Sequence, residues 1–265
     1  MTQKDTVIEI KNLKTQLGDS SIHQDINLSI NRGEIVGIAG GSGSGKTTLL
    51  REMLAITKPT SGSIRVFNHE ITQATPDTLL KIQRRWGVLF QENALFSSLT
   101  LLENVAFPLR EHIDLREENI RELALLKILM TGLPLDSAIK YPSELSGGMQ
   151  KRAGLARAIV LDPELIFLDE PTAGLDPATA SGFDELILNL QSSMGLTIVM
   201  ITHDLDSLWR VTSKVAFLGE GKVLCIDTMP NLIKNTHPLI QDFFAGPRGK
   251  AAQQNYQYES DDHGN

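Results

Sequence analysis

"EIVGIAGGSGSGKTTLLREMLAI", residues 34 to 56, governs how the rest of the chain is read. An apolar run, Ile35 to Ala39, leads into glycines and serines, and a helix-forming stretch follows that stops before Lys58-Pro59. Gly40, Gly41, Ser42, Gly43, Ser44, Gly45, Lys46 and Thr47 match the spacing G-x-x-x-x-G-K-[ST]. Glycines let successive backbone N–H groups turn inward and cradle a triphosphate without Cβ clashes. The helix that follows adds its free N–H groups and the positive end of its dipole. Lys46 reaches the β- and γ-phosphates, the Thr47 hydroxyl is placed to ligate Mg²⁺, and Thr48 continues the first turn. A strand before the motif and a helix after it set it apart from a flexible glycine-serine loop.

Working outward, the first 33 residues read as β structure. Ile26, Leu28 and Ile30 alternate with polar residues, and Val7-Ile8-Glu9-Ile10 is a short strand. From about residue 100 to 160 the pattern turns helical, with Ile120, Leu123, Ala124, Leu126, Leu129 and Met130 periodic and Gly132 as a C-cap. "ELIFLDE" and "LTIVMITH" are near-continuous apolar strands on either side of a helix that has Pro177 in its first turn. "VAFLGEGKVLCI" reads as a hairpin with a Gly-Glu-Gly turn, and "MPNLIKN" and "HPLIQDFF" as two short helices. Apolar strands alternating with helices predict an α/β fold whose parallel sheet is covered on both faces.

Composition narrows the function classes. With 265 residues and 41% hydrophobic content, the chain suits one α/β domain carrying an insertion or a small second lobe. No apolar run approaches the ~18 residues of a membrane span. The N-terminus lacks the pattern of a secretory signal. A lone Cys225 excludes an internal disulfide and fits a reducing compartment. A net charge of −7 with no lysine/arginine block argues against nucleic acid as a partner. The expectation is a cytosolic protein.

Three further elements carry chemistry. Asp169-Glu170 end a buried strand, at the sheet edge where open α/β sheets bind ligands. Asp169 is expected to hold Mg²⁺, largely through water, and Glu170 to orient or deprotonate the attacking water. His203 ends the next apolar strand, and beside a triphosphate its imidazole is a γ-phosphate contact. Gln91 offers an amide oxygen to Mg²⁺ or to the attacking water. A second phosphate-like helix start, "YPSELSGGMQKRAGLARA" at residues 141 to 158, has no use for the same triphosphate.

Taken together, these residues resemble the ABC-transporter ATPase family over about residues 6 to 230. The glycine loop matches Walker A, Leu165 to Asp169 match Walker B, and Glu170 matches the catalytic glutamate. Gln91 matches the Q-loop, Ala173-Gly174-Leu175-Asp176 the D-loop, and His203 the H-loop. "LSGGM" resembles the signature motif usually written LSGGQ. The resemblance implies a P-loop NTPase (RecA-like) parallel-sheet core with an N-terminal antiparallel β subdomain and an inserted helical subdomain. It places the ATPase domain at residues 1–246, the helical signature subdomain at about 92–160, and a polar, flexible tail at 247–265. It also implies a homodimer with ATP at the interface. Ser146, Gly147 and Gly148 of one copy then face the γ-phosphate held by the other, with Asp176 nearby, so the second site serves the neighbour.

Two positions depart from the family pattern. Met149 replaces glutamine in the signature, and Leu17 stands where an aromatic residue stacks on adenine, with His23 as a substitute. "LFQENALFSSLTLLENVAFPLREH" and "YPSELSGGMQKRAGLARAI" resemble the cassettes of Mla-type, MCE-associated phospholipid transporters, although Leu175 replaces a frequent glutamine. That group implies a multispanning permease, a periplasmic MCE-domain lipid-binding protein, in many members a STAS-domain regulator, and a location on the cytoplasmic face of the inner membrane. Leu95, Phe96 and Leu99 fall in the region that receives the permease, and Tyr256 and Tyr258 are candidates for docking on the neighbouring cassette. An amino-acid or lipoprotein cassette is the nearest alternative. A non-transport ABC ATPase is more distant, because the stretch between Lys46 and Asp169 is too short for an extended coiled coil.

Overall fold

The computed structural model describes residues 5–244, 246 and 252. The chain divides into two compact units, residues 1–82 with 197–265, and residues 83–196. The tail reading and the docking idea for Tyr256 and Tyr258 lie outside the described residues, which include only Ala252 from that stretch.

In the first unit β1 (Thr6–Leu17) and β2 (Ser20–Asn31) pair antiparallel, and β4 (Ser61–Val66) pairs with the other edge of β1. β5 (His69–Glu70) closes that side. Inward residues such as Ile8, Ile10, Leu13, Ile26 and Ile30 are buried while their neighbours, Val7 apart, are half-buried or exposed, the period-two pattern of a half-buried sheet. Four register irregularities bend the β1–β2 pair. They break the strict alternation of β1, so a strand legible over only four residues runs for twelve.

β3 (Ile35–Gly40) lies parallel between β8 (Thr197–Ile201) and β9 (Lys214–Gly219). Every residue of β3 and β8 is buried, as expected for central parallel strands covered on both faces. β10 (Lys222–Asp227) pairs antiparallel with β9 and, through Lys222 and Asp25, parallel with β2. The β9–β10 turn has Glu220 at φ 53° and Gly221 at φ 70°, the left-handed pair of a type I′ hairpin.

α1 (Lys46–Met53) follows β3. It is shorter than the apolar pattern to Ile56 suggests, because Ala55 at φ 56° takes the left-handed region and ends it. α2 (Pro76–Gln83) reaches the boundary between the units and was not among the helices expected from the sequence. α7 (Leu205–Val211), α8 (Met229–Leu232) and α9 (Pro238–Phe244) pack with Phe217, Val215 and Ala39 in one apolar cluster.

In the second unit β6 (Trp86–Leu89) and β7 (Leu165–Asp169) run parallel in register from Trp86–Leu165 to Leu89–Leu168. α3 (Leu101–His112), α4 (Glu117–Met130) and α5 (Gly147–Ala158) share an apolar core that includes Val105, Leu109, Ile128 and Ala153. Gly132 at φ 72° follows α4 as the left-handed terminator. α6 (Pro177–Met194) is capped by Asp176, opens on proline and ends at left-handed Gly195. Among the described residues no helix is long and apolar enough to cross a membrane.

Candidate nucleotide site

The phosphate loop joins the buried end of β3 to α1 in the first unit. Gly43 and Gly45 take φ values of 76° and 96°, which L side chains rarely adopt. A Cβ on Gly40 would lie 2.3 Å from the Leu218 carbonyl oxygen, so the strand end admits only glycine. Gly41 faces open space, and its glycine is not imposed by packing. Gly45 supplies no side-chain cap to α1, so an anion can occupy the role that a capping side chain fills elsewhere. The Lys46 ammonium donates to the Gly40 and Gly41 carbonyls at 2.8 and 3.0 Å, curling back over the loop it must serve. A cavity of about 240 Å³ is lined by Ile22 and residues 43–48, with Ser42 and Thr47 exposed and Ser44 and Thr48 half-buried.

His203 follows β8, the strand beside β3, and its side chain is exposed. The turn that presents it is held on both sides. Thr202 Oγ accepts from the Asp204 N–H at 3.0 Å, and Asp204 caps α7 by accepting from Asp206 N at 3.0 Å. Both His203 and the phosphate loop therefore leave the C-terminal ends of adjacent parallel strands.

In the second unit the same logic places Gln91 after β6 and Asp169-Glu170 at the end of β7. Glu170 has φ 47°, a left-handed conformation that a non-glycine residue takes at a cost of order 1–3 kcal/mol. Its carbonyl accepts from Ala173 N and from Lys151 Nζ, each at 3.2 Å. Lys151, on α5, also donates to the Gln91 carbonyl at 2.6 Å. Burial holds the Lys151 ammonium pKa below the ordinary lysine value, and the charges of Glu92, Asp169 and Glu170 oppose that shift. Farther along α5, Arg157 donates to the Ala94 and Asn93 carbonyls at 2.6 and 3.2 Å. Asn104, fully buried on α3, donates to Phe96, Leu99 and Thr100 carbonyls. The segment after Gln91 is thus fastened by three side chains that sequence reading passed over. Their signal was weak, since a lysine or asparagine inside an amphipathic helix has the same composition whether it faces solvent or a buried carbonyl.

Ser146 caps α5 by accepting from Met149 N at 3.3 Å, and Ser146 and Gly147 are exposed. A Cβ on Gly147 would meet nothing, whereas one on Gly148 would lie 2.7 Å from the Thr179 methyl. Met149 is partly buried against the apolar core of the helices, a setting that suits a flexible thioether. Asp176 accepts from Thr179 N at 3.1 Å and from Thr179 Oγ at 2.6 Å. The Thr179 hydroxyl, chiefly, holds the Asp176 carboxyl below its usual range. The tip of the signature helix and the cap of α6 therefore meet at Thr179. Leu17 is exposed, but His23 is buried beneath the phosphate loop and cannot stack on a base, which corrects the substitute role given to it from sequence.

Comparison with known proteins is decisive at this point. Residues 23–173 match the family model described as ABC transporter, more than half of the chain. The chain belongs to the ABC transporter family. It is 38% identical to the intermembrane phospholipid transport ATP-binding protein MlaF of Haemophilus influenzae, over 91% of this cassette and 90% of that protein. It is 37% identical to the probable ribonucleotide transport ATP-binding protein mkl of Mycobacterium leprae, covering 91% of the cassette and 69% of the relative. The methionine import ATP-binding protein MetN of Lacticaseibacillus paracasei is also 37% identical, over 92% of the cassette and 68% of its own length. The dimeric post-hydrolysis structure of MJ0796 with ADP and Pi superposes with a TM-score of 0.77 at 33% identity, covering 84% of this cassette and 98% of that chain.

The cassette is an ATPase and binds ATP with Mg²⁺. Its phosphate loop fits a triphosphate, because its glycines clear space that side chains would fill and its helix start is uncapped. Among the described residues no three His, Cys, Asp or Glu side chains cluster to cage a metal. Mg²⁺ keeps waters and substrate phosphates in its shell and takes one or two protein oxygens. In the first unit the exposed Thr47 hydroxyl is a hard oxygen of that kind.

Proposed function

We propose that the cassette drives phospholipid transport between inner and outer membranes and so maintains lipid asymmetry. The observation that carries this is the 38% identity to MlaF across 90% of that protein. The stretch from Leu89 to His112 and the LSGGM signature support it. In this reading two copies dimerise with ATP between them, under a multispanning permease on the cytoplasmic face of the inner membrane. A periplasmic MCE-domain protein collects the lipid, and a STAS-domain regulator binds the helical lobe. Residues 40–48 hold the phosphates, Thr47, Gln91 and Asp169 serve Mg²⁺, and Glu170 activates water with His203 beside the γ-phosphate. Ser146, Gly147, Gly148 and Asp176 act on the partner's nucleotide.

A second reading, an ATPase subunit for another substrate such as an amino acid, is favoured by the MetN relatives at 37% identity. The test is to tag the chain, solubilise native membranes gently, and identify the co-purifying proteins and lipids by mass spectrometry. A permease with an MCE-domain protein and bound phospholipid is the expected result. A different permease with no phospholipid would overturn the substrate and leave the ATPase.

A further inference from the structure

Three polar side chains from three elements meet beneath the phosphate loop: Thr15 on β1, His23 on β2 and Glu52 on α1. Their exposures are 2%, 1% and 1%, so none is solvated. Thr15 Oγ donates to Glu52 Oε1 at 2.5 Å. The imidazole Nδ1 lies 3.1 Å from both Thr15 Oγ and Glu52 Oε2. On the far side of the ring, Nε2 lies 3.2 Å from the Gly45 carbonyl oxygen.

Proton accounting fixes the direction of this chain. A carbonyl oxygen only accepts, so Nε2 must carry a proton. The single hydroxyl proton of Thr15 goes to Glu52 Oε1, leaving none for Nδ1. Glu52 Oε2 faces Nδ1 at 3.1 Å as an ion-pair contact and, among the described residues, makes no hydrogen bond of its own. Burying a carboxyl and an imidazole is costly unless they are paired, and a leucine would fill the same space without that cost. What the polar trio adds is a directed hydrogen bond to one peptide of the phosphate loop.

That peptide is well chosen. The Gly45 carbonyl already accepts from Leu49 N at 2.8 Å as the first bond of α1. Because a trans peptide is planar, anchoring the Gly45 oxygen on the His23 side turns the Lys46 N–H the opposite way. Gly45 itself is held at φ 96°, and a Cβ there would stand 2.5 Å from Nε2. Thr15 precedes Leu17 by two residues on β1, so the cluster also ties the base-contact strand to the phosphate loop.

We propose that His23 is a positioning residue for nucleotide binding: oriented by Glu52 and Thr15, its Nε2–H holds the Gly45–Lys46 peptide in the phosphate-binding orientation. The proposal rests on residues 40–48 being the nucleotide site. The Lys46 N–H contacts phosphate in ground and transition states alike, so its loss is a uniform binding loss.

The experiment measures steady-state ATP hydrolysis by the full chain. His23→Leu should raise KM for ATP about tenfold with kcat within about twofold, and Glu52→Met should do the same. His23→Gln, which keeps an amide donor toward Gly45, should recover most of the affinity. Ring ¹⁵N shifts of the unaltered chain, assigned with His23→Gln, should show Nε2 protonated at neutral pH. Unchanged KM in folded His23→Leu, or an unprotonated Nε2, would overturn the proposal. Lys46→Ala separates the two failures: if it too keeps normal ATP affinity, the site itself has been misplaced.

Discussion

Lys151 Nζ lies 2.6 Å from the carbonyl oxygen of Gln91 and 3.2 Å from that of Glu170, so one buried ammonium on the signature helix ties the Q-loop to the end of the Walker B strand. Losing a hydrogen bond to a charged group costs about 1.5–3 kcal/mol, and Lys151→Met would take the ammonium from both carbonyls, leaving that of Glu170 with only the Ala173 N–H. We expect the hydrolysis rate of Lys151→Met to fall about tenfold or more, a drop equivalent to about 1.4 kcal/mol, with ATP affinity nearly unchanged. Parallel titration calorimetry and phosphate-release assays check this. Equal loss of affinity and rate would place Lys151 in the nucleotide site instead.

Lys46→Ala should weaken ATP binding itself. The ammonium that rests on the Gly40 and Gly41 carbonyls is the one expected to exchange those contacts for phosphate oxygens. Fluorescent-nucleotide titration should show an affinity loss of about tenfold or more, and saturation at the unaltered concentration would contradict the role.

The start of α3 provides a pH test. Thr100 and Glu103 form a capping box, in which the Thr100 N–H and hydroxyl hold the Glu103 carboxyl below its ordinary value of 4.5. A carboxyl depressed on folding contributes stability above that ordinary value and loses it as pH falls through the lower folded value. The urea midpoint of Glu103→Ala should lie below that of the parent at pH 7, and the gap should close on acidification below 4.5. Thr100→Ala should cost about 0.5–2 kcal/mol.

Gly87 is a packing prediction. A Cβ there would stand 2.0 Å from the Ala158 carbonyl oxygen, where β6 passes the end of α5. Backbone cannot yield as a side-chain tip can, so Gly87→Ala should destabilise by about 3 kcal/mol, at the upper end of ordinary overpacking. Thermal unfolding followed by circular dichroism measures it, and an unchanged midpoint would refute the close approach.

The strands nearest the site were the easiest to read. β3, β7 and β8 are near-continuous apolar runs of five or six residues, a length typical of strands and short for helices. The β9–β10 hairpin announced itself through Glu220 and Gly221, because two consecutive left-handed residues need such a turn. α4 kept its period to Met130 and its glycine terminator at Gly132. β1 was harder, since its bulges interrupt alternation, and α2 spans only eight residues, with Ile82 its one buried side chain. Within the site, the glycine loop and Asp169-Glu170 are local patterns. Lys151–Gln91, Arg157–Ala94 and Glu52–His23–Gly45 join segments far apart in the chain, and nothing in local spacing marks them.

In the proposed dimer the ATP site is completed by a second copy of the chain, with Ser146 of one subunit meeting the phosphate held by the other. Light scattering on Glu170→Gln tests it most directly, since that change should leave binding intact while slowing hydrolysis. The molar mass should double on adding ATP, return to the single-chain value when nucleotide is removed, and fail to double when Ser146→Phe is added. A chain saturated with ATP that stays monomeric would contradict it.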